Sequence, residues 1–360
     1  MTKKLVWLRH ETKKQEHRVA LDPKACLELQ KLGHEVIIER SDQRIFVDQE
    51  YEKLGLKMVP PNSWKQAPEH AIILGLKELE EDNFPLIHKH IHFAHAYKNQ
   101  KGSKKFLNRF TNGKGKLYDL EFLIDKNGNR VCAFGHWAGF TGAALGIDIW
   151  AHRALNKSFN STAPLNPYEN VDQLILSLKN KLEVLENKPK VLVIGAFGRC
   201  GKGATKLLKK LDINCELWGS KDTSKFNGTI APIMDFDILI NCVYLKGALA
   251  PFIDSELVRQ GGRLKVISDV SCDPTGPYNP IRVYNQCTTM TEPEIRLKDN
   301  KHISLTAIDH LPSLLPRESS EDFCSQLLPH LINFLDDNET QGPFTRSLDT
   351  FHKSYTNSLV

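Results

Sequence analysis

The sequence predicts an α/β protein of two domains, each built on a mainly parallel sheet. Three observations predict it. The chain has 360 residues, more than a single hydrophobic core usually organises. Short apolar strands alternate with amphipathic helices in both halves of the chain, the pattern of strands joined by helical crossovers. A proline-bearing loop, "NSTAPLNPYEN", separates the halves. The expected division is a first domain of residues 1–134 with 325–360, and a second of residues 135–324.

"KLVWLRH" reads as the first strand. "DPKACLELQKLG" reads as a helix, with Asp22 as N-cap, Pro23 in the first turn and Gly33 just past the end. "HEVIIERS", "HAIILGLK" (ending at Lys77) and "HIHFAHAYK" supply further strands. "GHWAGFTGAALGIDIWAHRAL" is an apolar helix whose glycines suit close packing and a hinge. After a helix near 170–186, the second sheet is expected from "KVLVIG", "CELWG", "DILINCVY", "LKVISDV" and "ISLTAID". The apolar spacing of "PRESSEDFCSQLLPHLINFL" makes it an amphipathic helix that returns to the first domain.

Composition narrows the function. Lys and Arg number 48 against 43 Asp and Glu, a formal charge of +5 with both signs interspersed. That suits an anionic small ligand better than nucleic acid, whose binders carry a basic face. The N-terminal apolar run is too short for a secretory signal and no segment could span a bilayer, so a cytoplasmic protein is expected. Eight cysteines without a C-x-x-C pair argue against a zinc ribbon and a disulfide-stapled secreted domain.

"VLVIGAFGRCGKGATKLLKK" runs from a strand through Gly195, Gly198, Gly201 and Gly203 into a basic helix. Glycine permits the tight turn and close ligand approach, and the first helical turn offers N–H groups to a phosphate, so a dinucleotide is the expected occupant of a Rossmann-like unit. The spacing is G-x-x-G-x-x-G rather than G-x-G-x-x-G; a tight turn without a ligand is the alternative. In the first domain, the loop after the first strand carries Arg9, Glu11, Glu16 and Arg18. Open α/β sheets bind ligands at such loops, and a solvated charged loop is the alternative. Lys77 closes an apolar strand, where a lysine is more often a surface terminus; in a partly dry cleft it would lose proton affinity and become a base. His88, His90 and His92 alternate, and strand geometry puts them on one face, expected to meet water, with Ile91, Phe93 and His95 on the other. No metal is expected there. His95 is a candidate general acid or base, a core histidine being the alternative.

The pattern R-x-E-T-x-x-x-E-x-R-V-A-L-x-P resembles the alanine dehydrogenase and transhydrogenase superfamily. "IILGLKE", "FPLIHKHIHFAHAYKNQ", "AFGHWAGFTGAALG", "INCVYLKGALAPF", "DVSCDPTGPYNPI" and "IDHLPSLLPRESS" are similar to its lysine-forming saccharopine dehydrogenase family, from about Leu5 to Leu335. The resemblance implies two Rossmann-like domains with an interdomain active-site cleft. It also implies NAD as cofactor and oxidation of saccharopine to lysine and 2-oxoglutarate, in lysine biosynthesis. Lys77 would be the base that deprotonates the secondary amine, and His95 the acid–base group for imine hydrolysis. Glu78 and Glu121 would be their acidic neighbours. Arg18, Gln100, Arg130 and Phe134 fall on substrate-binding positions, and Ser271, Cys272 and Asp273 line the substrate side. Gly195, Gly198, Arg199, Thr223, Tyr244, Val270, Ile308, Asp309, His310 and Leu311 fall on the cofactor side. The family can pair the cysteines that match Cys200 and Cys242, which implies a disulfide; two buried thiols are the alternative.

Two positions depart from the family. Asn129 stands where an arginine is usual near the cofactor, and Gly219 stands where an acidic residue for the adenosine ribose is expected. There Asp222 would reach back to the ribose, or Ser220, Lys221 and Lys225 would surround the extra phosphate of NADP. No protein partner, nucleic acid or membrane is implied, and a monomer is the expectation. A dehydrogenase of the same superfamily acting on another amino acid or imine, and a non-catalytic nucleotide sensor, are the rival functions.

Overall fold

The computed structural model describes residues 3–97, 102–155, 164–243, 245, 247, 250–337 and 341–358. The chain packs as two units, Met1–Ala133 with Pro316–Val360, and Phe134–Leu315. The return to the first unit comes at Pro316, earlier than the expected residue 325, because the last long helix begins there and buries Ser319, Ser320, Phe323 and Cys324.

In the first unit, strands β1 (Leu5–Leu8), β2 (Glu35–Glu39), β3 (Lys57–Val59), β4 (Ile72–Leu74), β5 (Lys89–His92) and β6 (Lys116–Asp119) form one sheet. Their order is β3-β2-β1-β4-β5-β6, every neighbouring pair parallel. Helices α1 (Pro23–Lys31), α2 (Asp48–Glu52) and α3 (Ser103–Gly113) connect them. As expected, Asp22 caps α1, its carboxylate accepting the Ala25 N–H at 2.8 Å.

The second unit opens with α4 (Gly135–Ala154) and α5 (Val171–Leu182). Its elements continue as β7 (Val191–Ile194), α6 (Arg199–Lys210), β8 (Cys215–Trp218), α7 (Ser220–Thr223) and β9 (Ile238–Asn241). After them come β10 (Ile253–Asp254), α8 (Ser255–Gln260), β11 (Val266–Asp269), β12 (Ile281–Arg282), β13 (Ile295–Arg296) and β14 (Ser304–Thr306). The main sheet runs β13-β14-β11-β9-β7-β8 and is parallel except for β13; β10 and β12 pair separately. The last helices, α9 (Pro316–Leu335) and α10 (Pro343–Ser358), belong to the first unit.

Each sheet starts on an interior strand, grows to one side and then to the other. The reversal falls between β1 and β4 in the first sheet and between β7 and β9 in the second, and ligands of open α/β sheets bind beyond the strand ends at such a reversal. Strands β1, β4, β7, β9 and β11 are buried throughout, as strands covered on both faces must be.

The glycines of α4 are accounted for by contact. A Cβ on Gly139 would overlap the Cys200 carbonyl, and one on Gly203 of α6 would overlap the His136 carbonyl, so the two helices cross backbone to backbone. Gly203→Ala is therefore expected to destabilise the protein by about 3 kcal/mol, the upper range for overpacking. Urea unfolding checks this, and a loss below about 1 kcal/mol would mean that the helices separate freely.

The histidine face corrects the sequence reading. His88, His90 and His92 are buried, not solvated. His90 is edge-on to Trp64 and Phe110, and His92 to Phe106, because the sheet is covered on that side as well. Neither ring nitrogen of His90 has a hydrogen-bond partner among the described residues. Burial pushes the His92 pKa from 6.5 down to about 3, and His90 is driven well down for the same reason. An unfolded chain binds these protons near its ordinary value; the folded chain does not. The neutral rings thus support the fold fully above about pH 6.5 and progressively less as pH falls toward their folded values. The expected stability loss approaches about 1.4 kcal/mol per pH unit for each ring. His90→Met should flatten the pH dependence of the urea midpoint between about pH 4.5 and 6.5; an unchanged slope would contradict this.

Candidate active site

Beyond the β1/β4 reversal, the expected loop residues become a buried ionic cluster. Arg18 donates to both Glu16 carboxylate oxygens, Nε to Oε1 at 2.7 Å and Nη2 to Oε2 at 2.6 Å. Although burial pushes Glu16 up, Arg18 holds its carboxyl below the usual range. Lys77, three residues past β4, brings its Nζ to 3.9 Å from Glu16 Oε2 and keeps its side chain only 15% exposed. Burial lowers the Lys77 pKa, Arg18 lowers it further, and Glu16 opposes them. A lysine held this way is poised to exchange a proton rather than only carry charge.

His95 lies beyond β5, which stops at His92, so strand alternation does not set its direction. Its backbone is left-handed, with φ 48°, a conformation that β-carbon-bearing residues adopt only when surroundings dictate it. His95 Nδ1 lies 2.6 Å from Glu78 Oε1. Against burial, that hydrogen bond holds Glu78 down at about 2. An ionised carboxylate only accepts, so Nδ1 carries the hydrogen and Nε2 is left for proton transfer. His95 and Glu78 also line a cavity of about 340 Å³, with Leu79, Ala94, Phe106 and Arg109.

Glu121, expected beside the candidate acid–base residues Lys77 and His95, accepts from Arg130 Nη2 at 3.1 Å. Asn129, one of the two departures, sits in a turn: Asp125 accepts its backbone N–H and its side-chain amide. Phe134 forms the N-terminal cap position of α4. Gln100 and Tyr244 lie outside the described residues.

The sequence reading missed Asp119, at the end of β6. Its Oδ1 accepts the Glu121 N–H at 2.9 Å, and the carboxyl also accepts the Ala94 N–H, beside His95. Burial raises it to about 6. An acidic residue closing the apolar run "KLYD" was the available signal.

In the second unit, Gly195 has φ 78°, and a Cβ there would crowd Val243 and the Cys242 carbonyl carbon and oxygen. Gly198 begins α6 without a capping side chain, so the helix presents the uncapped first turn that accommodates an anion. Arg199 is the first residue of that helix. These residues fit the pyrophosphate of a dinucleotide. At the end of β8, Asp222 Oδ2 accepts the Gly219 N–H at 2.9 Å and Asp222 Oδ1 pairs with Lys225 at 3.2 Å. Thr223, in the same short helix, directs its hydroxyl to the Gly219 and Ser220 carbonyls.

The ends of β9 and β11 are tied by a buried Asp269, whose Oδ1 accepts from Asn241 at 2.9 Å and from the Ser271 hydroxyl at 2.6 Å. Tyr284 donates to its other oxygen at 2.6 Å. Cys272 follows with φ 47°, its sulfur 3.2 Å from that of Cys287. The Asp273 carboxylate packs close against Gly276, where a Cβ would displace it. Val270, Ile308 and Leu311 belong to the apolar core of this unit, and His310 Nδ1 is hydrogen-bonded to the Asp309 carboxylate.

The implied Cys200–Cys242 disulfide is absent: all eight cysteines are free thiols. Burial raises the pKa of both, and Cys200 adds to the shift at Cys242, so the pair stays protonated and a poor nucleophile. Among the described residues no three His, Cys, Asp or Glu side chains converge as metal ligands, and no described helix is long and apolar enough to cross a membrane.

Residues 7–141 match the family described as alanine dehydrogenase/PNT, N-terminal domain. The chain is 48% identical over 335 residues to the saccharopine dehydrogenase [NAD(+), L-lysine-forming] of Candida glabrata, covering 90% of each chain. It is 46% identical over 356 residues to the protein of the same name from Yarrowia lipolytica, covering 96% of each. Its fold is similar to that of a solved L-alanine dehydrogenase, with a TM-score of 0.69 at 18% identity over 97% of this chain and 94% of that one.

Proposed function

The chain belongs to the family of NAD-dependent, lysine-forming saccharopine dehydrogenases, and from that premise we propose that it oxidises saccharopine to lysine and 2-oxoglutarate, in lysine biosynthesis. The observation that carries the reading is a buried Lys77 of lowered pKa and a Glu78-oriented His95, which follow the ends of the adjacent parallel strands β4 and β5. The half-exposed Arg130 suits one of the substrate's three carboxylates, since a guanidinium can hold a carboxylate through two parallel hydrogen bonds, and Arg18, whose Nε and Nη2 already hold Glu16, adds a further positive charge. Gln100, Phe134, Ser271, Cys272 and Asp273 complete the proposed substrate contacts.

Gly195, Gly198 and Arg199 would hold the cofactor's pyrophosphate, with Thr223, Tyr244, Val270 and residues 308–311 around the remainder. A bound NAD would supply the acceptor for the hydride that leaves the substrate carbon beside the secondary nitrogen. Lys77 takes the proton from that nitrogen, which lets its electron pair form the carbon–nitrogen double bond. His95 then removes a proton from the water that attacks the imine carbon and returns one to nitrogen as the carbinolamine collapses. Glu78 keeps the imidazole in the tautomer this requires.

The test is purified protein with lysine, 2-oxoglutarate and NADH, followed by absorbance. Lysine-dependent NADH oxidation is expected; none with either nicotinamide cofactor would refute the reading.

We assign NAD as the working cofactor, with modest rejection of NADP because Gly219 lacks the repelling carboxylate. Gly219→Asp brings a Cβ against the exposed Phe197 ring, which can swing aside. A like charge worth about 1.4 kcal/mol would shift the NAD-to-NADP ratio of specificity constants about tenfold, mainly by lowering the NADP value. A parent enzyme that prefers NADP would overturn the cofactor assignment alone. Unpaired thiols suit a reducing compartment, and the cytosol is the compartment we assign. A monomer acting on small molecules is the proposed working form.

A further inference from the structure

We propose that Glu11 is a positioning residue of the reaction: its buried carboxylate clamps the backbone of Leu76 and Lys77 and thereby fixes where the Lys77 amine stands. The proposal rests on the reading of Lys77 as the base.

Past Leu74 the chain keeps its bonds toward the β5 side but loses its partners on the β1 side while staying inside the protein. Buried N–H and C=O groups must be satisfied by something. Gly75 N–H finds the Ile91 carbonyl at 2.9 Å, and the Leu76 carbonyl accepts the Phe93 N–H at 2.9 Å. The two remaining donors go to one side chain: Leu76 N–H to Glu11 Oε1 at 2.7 Å and Lys77 N–H to Glu11 Oε2 at 2.9 Å. The Lys77 carbonyl accepts from Arg9 Nη2, and Arg9 Nη1 lies 3.5 Å from Glu11 Oε2. Thus one mutually paired Arg–Glu couple grips the Lys77 peptide unit at its N–H and its C=O.

The residue types follow from this geometry. Two successive N–H groups converge on two oxygens, which a carboxylate supplies and an amide, with one oxygen and one NH₂, does not. Gly75 has no alternative, since any Cβ would overlap the Arg9 guanidinium. Glu11 and Arg9 are 7% and 3% exposed, and burying an ion pair is costly; both Glu11 oxygens are satisfied by the two amides, while Arg9 Nε has no partner among the described residues. The acidic oxygen facing the Lys77 amine belongs to Glu16, so Glu11 acts through the backbone and not on the proton.

Glu11→Gln turns one of the two acceptors into a donor facing a donor, which displaces the Lys77 peptide without emptying the site. For the holoenzyme we expect kcat for saccharopine oxidation to fall roughly tenfold to a hundredfold, the scale for displacing a reacting group by about 1 Å. KM for NAD should be unchanged. The rising limb of the pH profile should move up by about one pH unit, as a less desolvated lysine regains proton affinity. In a Lys77→Met background, Glu11→Gln should add little further loss, because the two act as a unit. If Glu11→Gln does not fold, Arg9→Lys tests the same clamp from the carbonyl side, with the same readouts expected. A folded Glu11→Gln enzyme with the parent kcat and pH limb, beside an inactive Lys77→Met, overturns the clamp alone. Losses that add fully in the double variant also overturn it. A fully active Lys77→Met instead removes the base assignment, and the clamp's catalytic purpose with it.

Discussion

Replacing Lys77 by methionine is expected to lower turnover by roughly a hundredfold or more, the usual scale for losing a general base, while NAD binding survives. Methionine keeps much of the length and apolar stem of lysine, so the packing of this buried position is largely preserved. What disappears is the nitrogen. Burial and the Arg18 charge hold the Lys77 pKa below its ordinary value, so a larger fraction is neutral at a given pH than in an exposed lysine. Saccharopine oxidation by the parent should therefore rise with pH through the lowered lysine pKa and level off above it. The variant should lose that limb and the pre-steady-state burst of NADH. Rates within a few fold of the parent, with the limb intact, would move the base elsewhere.

His95→Gln is expected to cost a similar factor of roughly a hundred or more, with a different kinetic signature. Glutamine can still hydrogen-bond to Glu78 but cannot carry a proton between water and nitrogen. Hydride transfer precedes the hydration step assigned to His95. The first-turnover NADH burst should thus survive while the steady-state rate collapses. A variant that loses burst and steady state together would assign His95 to the earlier step, beside Lys77.

The comparison of sequence and structure turns on a few residues. The parallel sheets, the Asp22 cap and the glycine turn were legible because each depends on local pattern: period, cap chemistry and left-handed glycine. Strand β3 was not, since its three residues are exposed or half-buried and carry no apolar run, nor were β10, β12 and β13, whose two residues carry no period. The buried histidine face was misjudged because alternation tells which residues share a face but not what covers it. Trp64, Phe106 and Phe110, which cover it, come from elements remote in sequence. The alternation argument used to place His95 failed, as the strand had already ended at His92. The role of Glu11 was invisible because it holds the backbone of another loop, a contact set by tertiary packing; for Asp119 the one signal was an acidic residue closing a strand. The tail beyond Asp336, uninformative as sequence, forms α10, where Phe344 stacks on Phe334 at 4.4 Å between ring centres and Phe351 joins the core of the first unit.

The central claim is that hydride passes between the nicotinamide ring and the substrate carbon that joins lysine to the glutarate skeleton. The measurement that tests it most directly is the reductive reaction with NADH deuterated at the transferring position, lysine and 2-oxoglutarate, with the product examined by mass spectrometry. The account predicts saccharopine carrying one deuterium on the glutarate carbon bonded to nitrogen, formed in step with NADH consumed. Oxidation of the deuterated cofactor without a deuterated lysine–glutarate product would contradict it.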